Sequence, residues 1–92
     1  MPEVLNKYKL NGRTGIYVGR GTIYGNPFVI GKDGDRATVI RKFEEYFNER
    51  GELRRLALKE LRGRNLICYC APLACHADIL LRYANNPIHN EA

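Results

Sequence analysis

Hydrophobic positions along this chain follow two rhythms, one helical and one strand-like. Between Asp35 and about Arg50, Val39, Ile40, Phe43, Tyr46 and Phe47 recur at i, i+3 and i+4, which puts one apolar stripe on a helix. Asp35 is the expected N-cap, because a carboxylate there accepts an orphan amide of the first turn. Gly51 is the expected C-cap. A second stripe of Leu53, Leu56, Ala57 and Leu61 predicts a helix over Glu52–Leu61, ended by Gly63. A third helix is expected from about Cys75 to Tyr83, closed by Asn85-Asn86-Pro87.

The strand rhythm is clearest at Thr14–Val18, where Ile16 and Val18 alternate with Tyr17. Val4–Leu10 is a further candidate, and Asn65–Cys70 reads as the central buried strand. Phe28–Ile30 is expected to form a short edge strand. The segment Gly19–Phe28 is too rich in glycine for regular structure and reads as an ordered loop, and Gly31–Asp35 is turn chemistry. The order is strand, glycine loop, helix, helix, strand, helix. It predicts an α/β fold, a small single-domain sheet with three helices, over residues 1–86. Residues 87–92, which include His89, are expected to be a flexible C-terminal tail. Both the glycine loop and the cysteine-containing turn follow strands. If those strands are parallel neighbours, both emerge at the carboxyl edge of the sheet, where α/β folds bind ligands.

Composition is that of a soluble globular domain, with 45% hydrophobic and 27% charged residues. No apolar run approaches the roughly 20 residues of a membrane span. The start of the chain lacks a signal peptide's apolar segment, so a cytoplasmic protein without a membrane partner is expected. The net charge of +5 favours anionic partners: phosphates, nucleotides or nucleic acid. Arg54, Arg55, Lys59, Arg62 and Arg64 carry much of that excess, and as a solvated face they need no partner.

All three cysteines and one histidine lie in Cys68-Tyr-Cys70-Ala-Pro-Leu-Ala-Cys75-His76. An odd number of closely spaced cysteines argues against a secreted disulfide framework. Three readings remain open. The first is a Cys₃His set of Cys68, Cys70, Cys75 and His76 for zinc. Cys68 and Cys70 face one side of a strand, roughly 6.5–7 Å apart at Cα. The second is a reactive or ligand-contacting thiol, with Cys70, Cys75 and His76 as the catalytic candidates. Its loop has the length of the Cys-x₅-Arg loop of thiol phosphatases, but His76 stands in the arginine's place, which argues against phosphatase chemistry. Asp78 is the nearest carboxylate to orient the histidine. The third reading is structural, with Cys68 packed in the core.

The loop Gly19-Arg20-Gly21…Tyr24-Gly25-Asn26-Pro27-Phe28 is the second constellation. Its glycines permit close backbone approach to a ligand, and Arg20 offers a fork for phosphate. Asn26, extended before Pro27, would present its amide, with Tyr24 or Phe28 packing on a ring. A tight turn with Asn26 bonded to local backbone is the alternative.

Together the blocks Tyr17–Phe28 and Leu66–His76 resemble a family of small phage and bacterial proteins described as a domain of unknown function. Its members carry a Tyr-Val-Gly-Arg-Gly…Gly-Asn-Pro-Phe block and a Leu-x-Cys-x-Cys-x-Pro…Cys-His block. The resemblance spans roughly residues 14–86, with Tyr24 and Tyr69 standing where tryptophan is common. It implies a compact α/β fold and a phage or prokaryotic cytoplasmic setting. The leading expectation is a pocket for a small anionic, nucleotide-derived ligand, lined by Gly19, Arg20, Gly21, Tyr24, Gly25, Asn26, Phe28, Cys70, Cys75 and His76. The alternative is a zinc-stapled phage accessory protein that binds nucleic acid or a host protein through Arg54, Arg55, Lys59 and Arg62.

Overall fold

The computed structural model describes residues 2–86; the terminal segment 87–92 and His89 lie outside the described residues. Strands β1 (Val4–Asn6), β2 (Ile16–Tyr17) and β3 (Leu66–Cys68) form one sheet in the order β1-β3-β2. Both pairings are parallel, with Val4 and Ile16 each opposite Leu66. The all-buried β3 is central, as the apolar run Leu66-Ile67-Cys68 requires. All three strands are shorter than their sequence patterns.

Helices α1 (Arg36–Asn48), α2 (Gly51–Glu60) and α3 (His76–Asn85) complete the α/β domain. Asp35 caps α1 as expected, its Oδ1 accepting the Thr38 amide at 2.9 Å. Val39, Phe43 and Phe47 are the buried residues of the α1 stripe, with Ile40 and Tyr46 packed beside them. Two expectations are corrected. Gly51 does not cap α1 but opens α2. The guanidinium of Arg54 instead donates to the carbonyls of Phe47 and Asn48, supplying the donors a glycine cap would have supplied. Phe28–Ile30 is not a strand. Asp33 accepts the Val29 amide on its Oδ2 and donates its own amide to the Val29 carbonyl, both at 2.8 Å, so the segment folds back on itself.

The pleat sorts the sheet residues onto two faces. Leu66 and Cys68, with Val4, Ile16 and Val18, join the core beneath the helices, where Phe43, Phe47, Leu61 and Leu80 are fully buried. Leu5, Tyr17 and Ile67 alternate with them and face the other way. No helix among the described residues is long and apolar enough to cross a membrane.

Because Phe43 is wholly enclosed, Phe43→Ala is expected to lower stability by about 3–5 kcal/mol, and Asp35→Ala, which removes an exposed helix cap, by less. Urea denaturation checks both, and a smaller loss at Phe43 than at Asp35 would contradict this core.

Candidate functional site

The parallel pairing of β2 with β3 brings the two chemistry-bearing loops to one sheet edge. Val18 extends the ladder, its amide donating to the Ile67 carbonyl at 3.0 Å, and the glycine loop departs immediately afterwards. Gly19 passes so close to the Tyr17 ring that an added Cβ would lie 2.3 Å from its hydroxyl oxygen. Gly21 has φ +95°, in the region that favours glycine. The loop is then tied to the helices. Tyr24 is buried, and its hydroxyl donates to the Glu60 carboxylate. Asn26 donates to the Val39 carbonyl at 3.1 Å, and its Oδ1 accepts the Phe28 amide at 2.9 Å.

The cysteine turn is anchored from three sides. Asn6, at the end of β1, donates to the carbonyls of Tyr69 and Ala71. Arg36, opening α1, donates to the Ala74 carbonyl at 3.0 Å. Cys75 is the N-cap of α3, its sulfur accepting the Ala77 amide. Asp78 does not reach His76 as an orienting carboxylate but accepts the Cys75 amide at 3.0 Å, closing a capping box.

His76 joins the two loops. Its Nε2 lies 2.7 Å from the Val18 carbonyl oxygen, which can only accept, so Nε2 carries the proton and donates. Nδ1 then offers a lone pair 3.4 Å from the Cys75 sulfur. Burial pushes the imidazole below its ordinary range and outweighs the Val18 hydrogen bond, which favours the charged form.

The sulfurs of Cys68, Cys70 and Cys75 all lie within 4.8 Å of one another, and all three are free thiols. Cys75 donates to Cys68 across 3.2 Å. That hydrogen bond, with the backbone amides of Cys70 and Ala71, lowers the Cys68 thiol to about 6, while the same bond and burial push Cys75 up. The pair therefore gives up one proton readily and holds the second. Cys68 and Cys75 are buried, and Cys70 is half-exposed.

A cleft of about 300 Å³ lies between the two loops. Among the predicted residues it is lined by Gly19, Arg20, Asn26, Phe28, Cys70 and His76, together with Cys68. Gly21 and Gly25, also bordered by Arg20 and Asn26, line a second hollow of about 290 Å³ on the other side of the glycine loop. Tyr24 and Cys75 belong to the core rather than to the cleft wall. Arg20 is exposed, and among the described residues its guanidinium has no hydrogen-bond or carboxylate partner. Sequence reasoning missed Asn6 and Tyr69. Asn6 had no local signal, because its partners come from the far end of the chain.

The family model described as domain of unknown function (DUF4326) matches residues 5–86. An uncharacterised 12.4 kDa protein from the nrdA-td intergenic region of Enterobacteria phage T4 is 41% identical over 87 residues, covering 90% of this chain and 77% of that protein. No solved structure matches the chain.

The neutral, buried His76 sets a pH dependence. The unfolded chain takes up a proton as pH falls through about 6.5, whereas the folded imidazole resists it. Stability from the neutral ring is therefore complete above that pH and lost as pH falls towards the lower folded value. In the presence of a chelator, His76→Gln is expected to flatten the fall in urea midpoint below about pH 6.5. An unchanged slope would contradict the assignment.

Proposed function

This chain belongs to the DUF4326 family, and from its site we propose that it binds a small anionic, nucleotide-derived ligand in the cleft between the glycine loop and the cysteine turn. The observation that carries the reading is an Arg20 guanidinium, unpartnered among the described residues, bordering a cleft at the carboxyl edge of parallel strands. Exposed arginine with no internal partner is free to fork onto phosphate oxygens. Asn26, spent on Val39 and Phe28, holds the loop in shape and leaves anion recognition to Arg20. Phe28, braced by Lys42 5.8 Å from its ring centroid and edge-on to Tyr46, supplies an apolar wall. Cys70 and His76 form the opposite wall. A reduced cytoplasmic setting, in a bacterium or phage-infected cell, fits the three free thiols.

Isothermal titration with AMP tests this reading. Arg20→Ala is expected to weaken binding about tenfold or more, the cost of a lost charged hydrogen bond. Wild-type protein that fails to bind AMP, or full affinity in Arg20→Ala, would overturn it.

A second reading is favoured by the sulfur triad. Cys68, Cys70 and Cys75 would hold zinc; Nδ1 of His76 is 3.4 Å from the Cys75 sulfur but does not join the group of donors within 4.8 Å of one another, so the expected Cys₃His set is reduced to three sulfurs. The residues fit such an ion. Three sulfurs converge, and the amides of Cys70 and Ala71 steady the Cys68 thiolate. When bound, the ion would crosslink β3 to the start of α3. The protein would then act as a stapled accessory module whose basic face contacts nucleic acid or a host protein. That face rests on the exposed Arg55, Lys59 and Arg62, since Arg54 is committed to α1. Native mass spectrometry is expected to show one zinc lost on unfolding and absent from Cys68→Ser. Bare wild-type protein after loading with zinc would exclude this reading.

A further inference from the structure

The helices cover one face of the sheet, and the other carries a feature that neither loop explains. Tyr69, directly after β3, lies 5.1 Å from the ring of Tyr8 and 5.7 Å from that of Tyr17, centroid to centroid. The three rings come from the ends of three different strands. Lys7 places its ammonium 4.9 Å from the centroid of Tyr17. Leu5 and Ile67 on this face are 6% and 7% exposed, so part of the face has a packing task. Tyr8 does not share it: it is 81% exposed, and Tyr69 keeps 46% of its surface open. An exposed aromatic pair beside a lysine is unusual for a solvated surface and is the arrangement that stacks bases in single-stranded nucleic-acid sites.

Tyr69 is also a wall of the cleft that Arg20 borders. One continuous surface thus runs from a phosphate-type fork to a pair of open rings, through a volume at the lower end of small-ligand pockets. We infer that the Tyr8–Tyr69 pair is a stacking platform for the base of a nucleotide whose phosphate lies at Arg20. The inference rests on the anion-binding reading above and names its ligand class: a base and a phosphate joined by a sugar, rather than a phosphate or sugar phosphate alone. Stacking tolerates any base, since each offers a π-face, so the platform sets ligand class and not base identity. Lys7 adds positive charge beside Tyr17.

The test compares AMP with ribose 5-phosphate by isothermal titration, with proton NMR of the adenine resonances as the signature of stacking. Wild-type protein is expected to bind AMP about fivefold or more tightly than ribose 5-phosphate, the lower range for one base–aromatic stack. The adenine protons should move upfield. Tyr8→Leu and Tyr69→Leu should each reduce that preference while leaving ribose 5-phosphate affinity unchanged, and Tyr69→Phe should restore it. Equal affinity for the two ligands in wild type would overturn the platform and leave the Arg20 anion site standing. Binding of neither would overturn both. If a 5′-phosphorylated trinucleotide binds more tightly than AMP, the base belongs to a nucleic-acid end; equal affinity makes it a free nucleotide. Either result supports stacking.

Discussion

The hydrogen bond from Nε2 of His76 to the Val18 carbonyl is the hinge of this structure. Val18 is the last residue to extend the ladder before the glycine loop, and His76 is the first residue of α3. One bond of 2.7 Å therefore holds the start of one cleft wall against the end of the other. It also decides chemistry. A carbonyl accepts only, so the proton is fixed on Nε2 and the lone pair on Nδ1 is turned towards the thiols. Edge-on packing of His76 against Phe43, at 5.1 Å between ring centroids, ties the same ring to the centre of the core. Site geometry and core packing are thus not separable here.

That coupling matters in a chain of 92 residues, where little apolar surface is available for burial. The loops are held instead by side chains reaching across the fold. Asn6, Asn26, Arg36 and Tyr24 each bond to a partner far away in sequence. These contacts leave the exposed Arg20 and the half-exposed Cys70 of the cleft uncommitted among the described residues while their surroundings are fixed. Preorganised walls with free functional groups are what a small-ligand site requires. The thiol cluster stands one layer deeper. There Cys75 donates to Cys68, and that bond holds the Cys68 thiol below its ordinary range, at the amide-rich start of α3.

Much of the fold was legible in the sequence because its signals are local. The α1 stripe and its Asp35 cap, the all-apolar β3 and the cysteine-headed α3 each follow from residues within a turn or two of one another. The failures share one cause. Gly51 looked like a cap, but a guanidinium from α2 performs that task, and Phe28–Ile30 looked like a strand, but the Asp33 carboxylate had already taken its amide. In the site, the convergence of the thiols was foreshadowed by their spacing, and the meeting of the two loops by the strand order. The work done by Tyr24 and Asn26 was not, since Glu60 and Val39 are invisible from the loop itself. Nor was the tyrosine cluster, whose rings are brought together only by the parallel pairing of all three strands.

The central claim is that the two loops enclose one ligand site, and amide chemical shifts test it directly. Titration of ¹⁵N-labelled protein with AMP should move resonances of Gly19–Phe28 and Cys68–His76 together, at a common affinity, and leave the exposed residues of α2 unchanged. Shifts confined to α2, or to only one of the two loops, would contradict it.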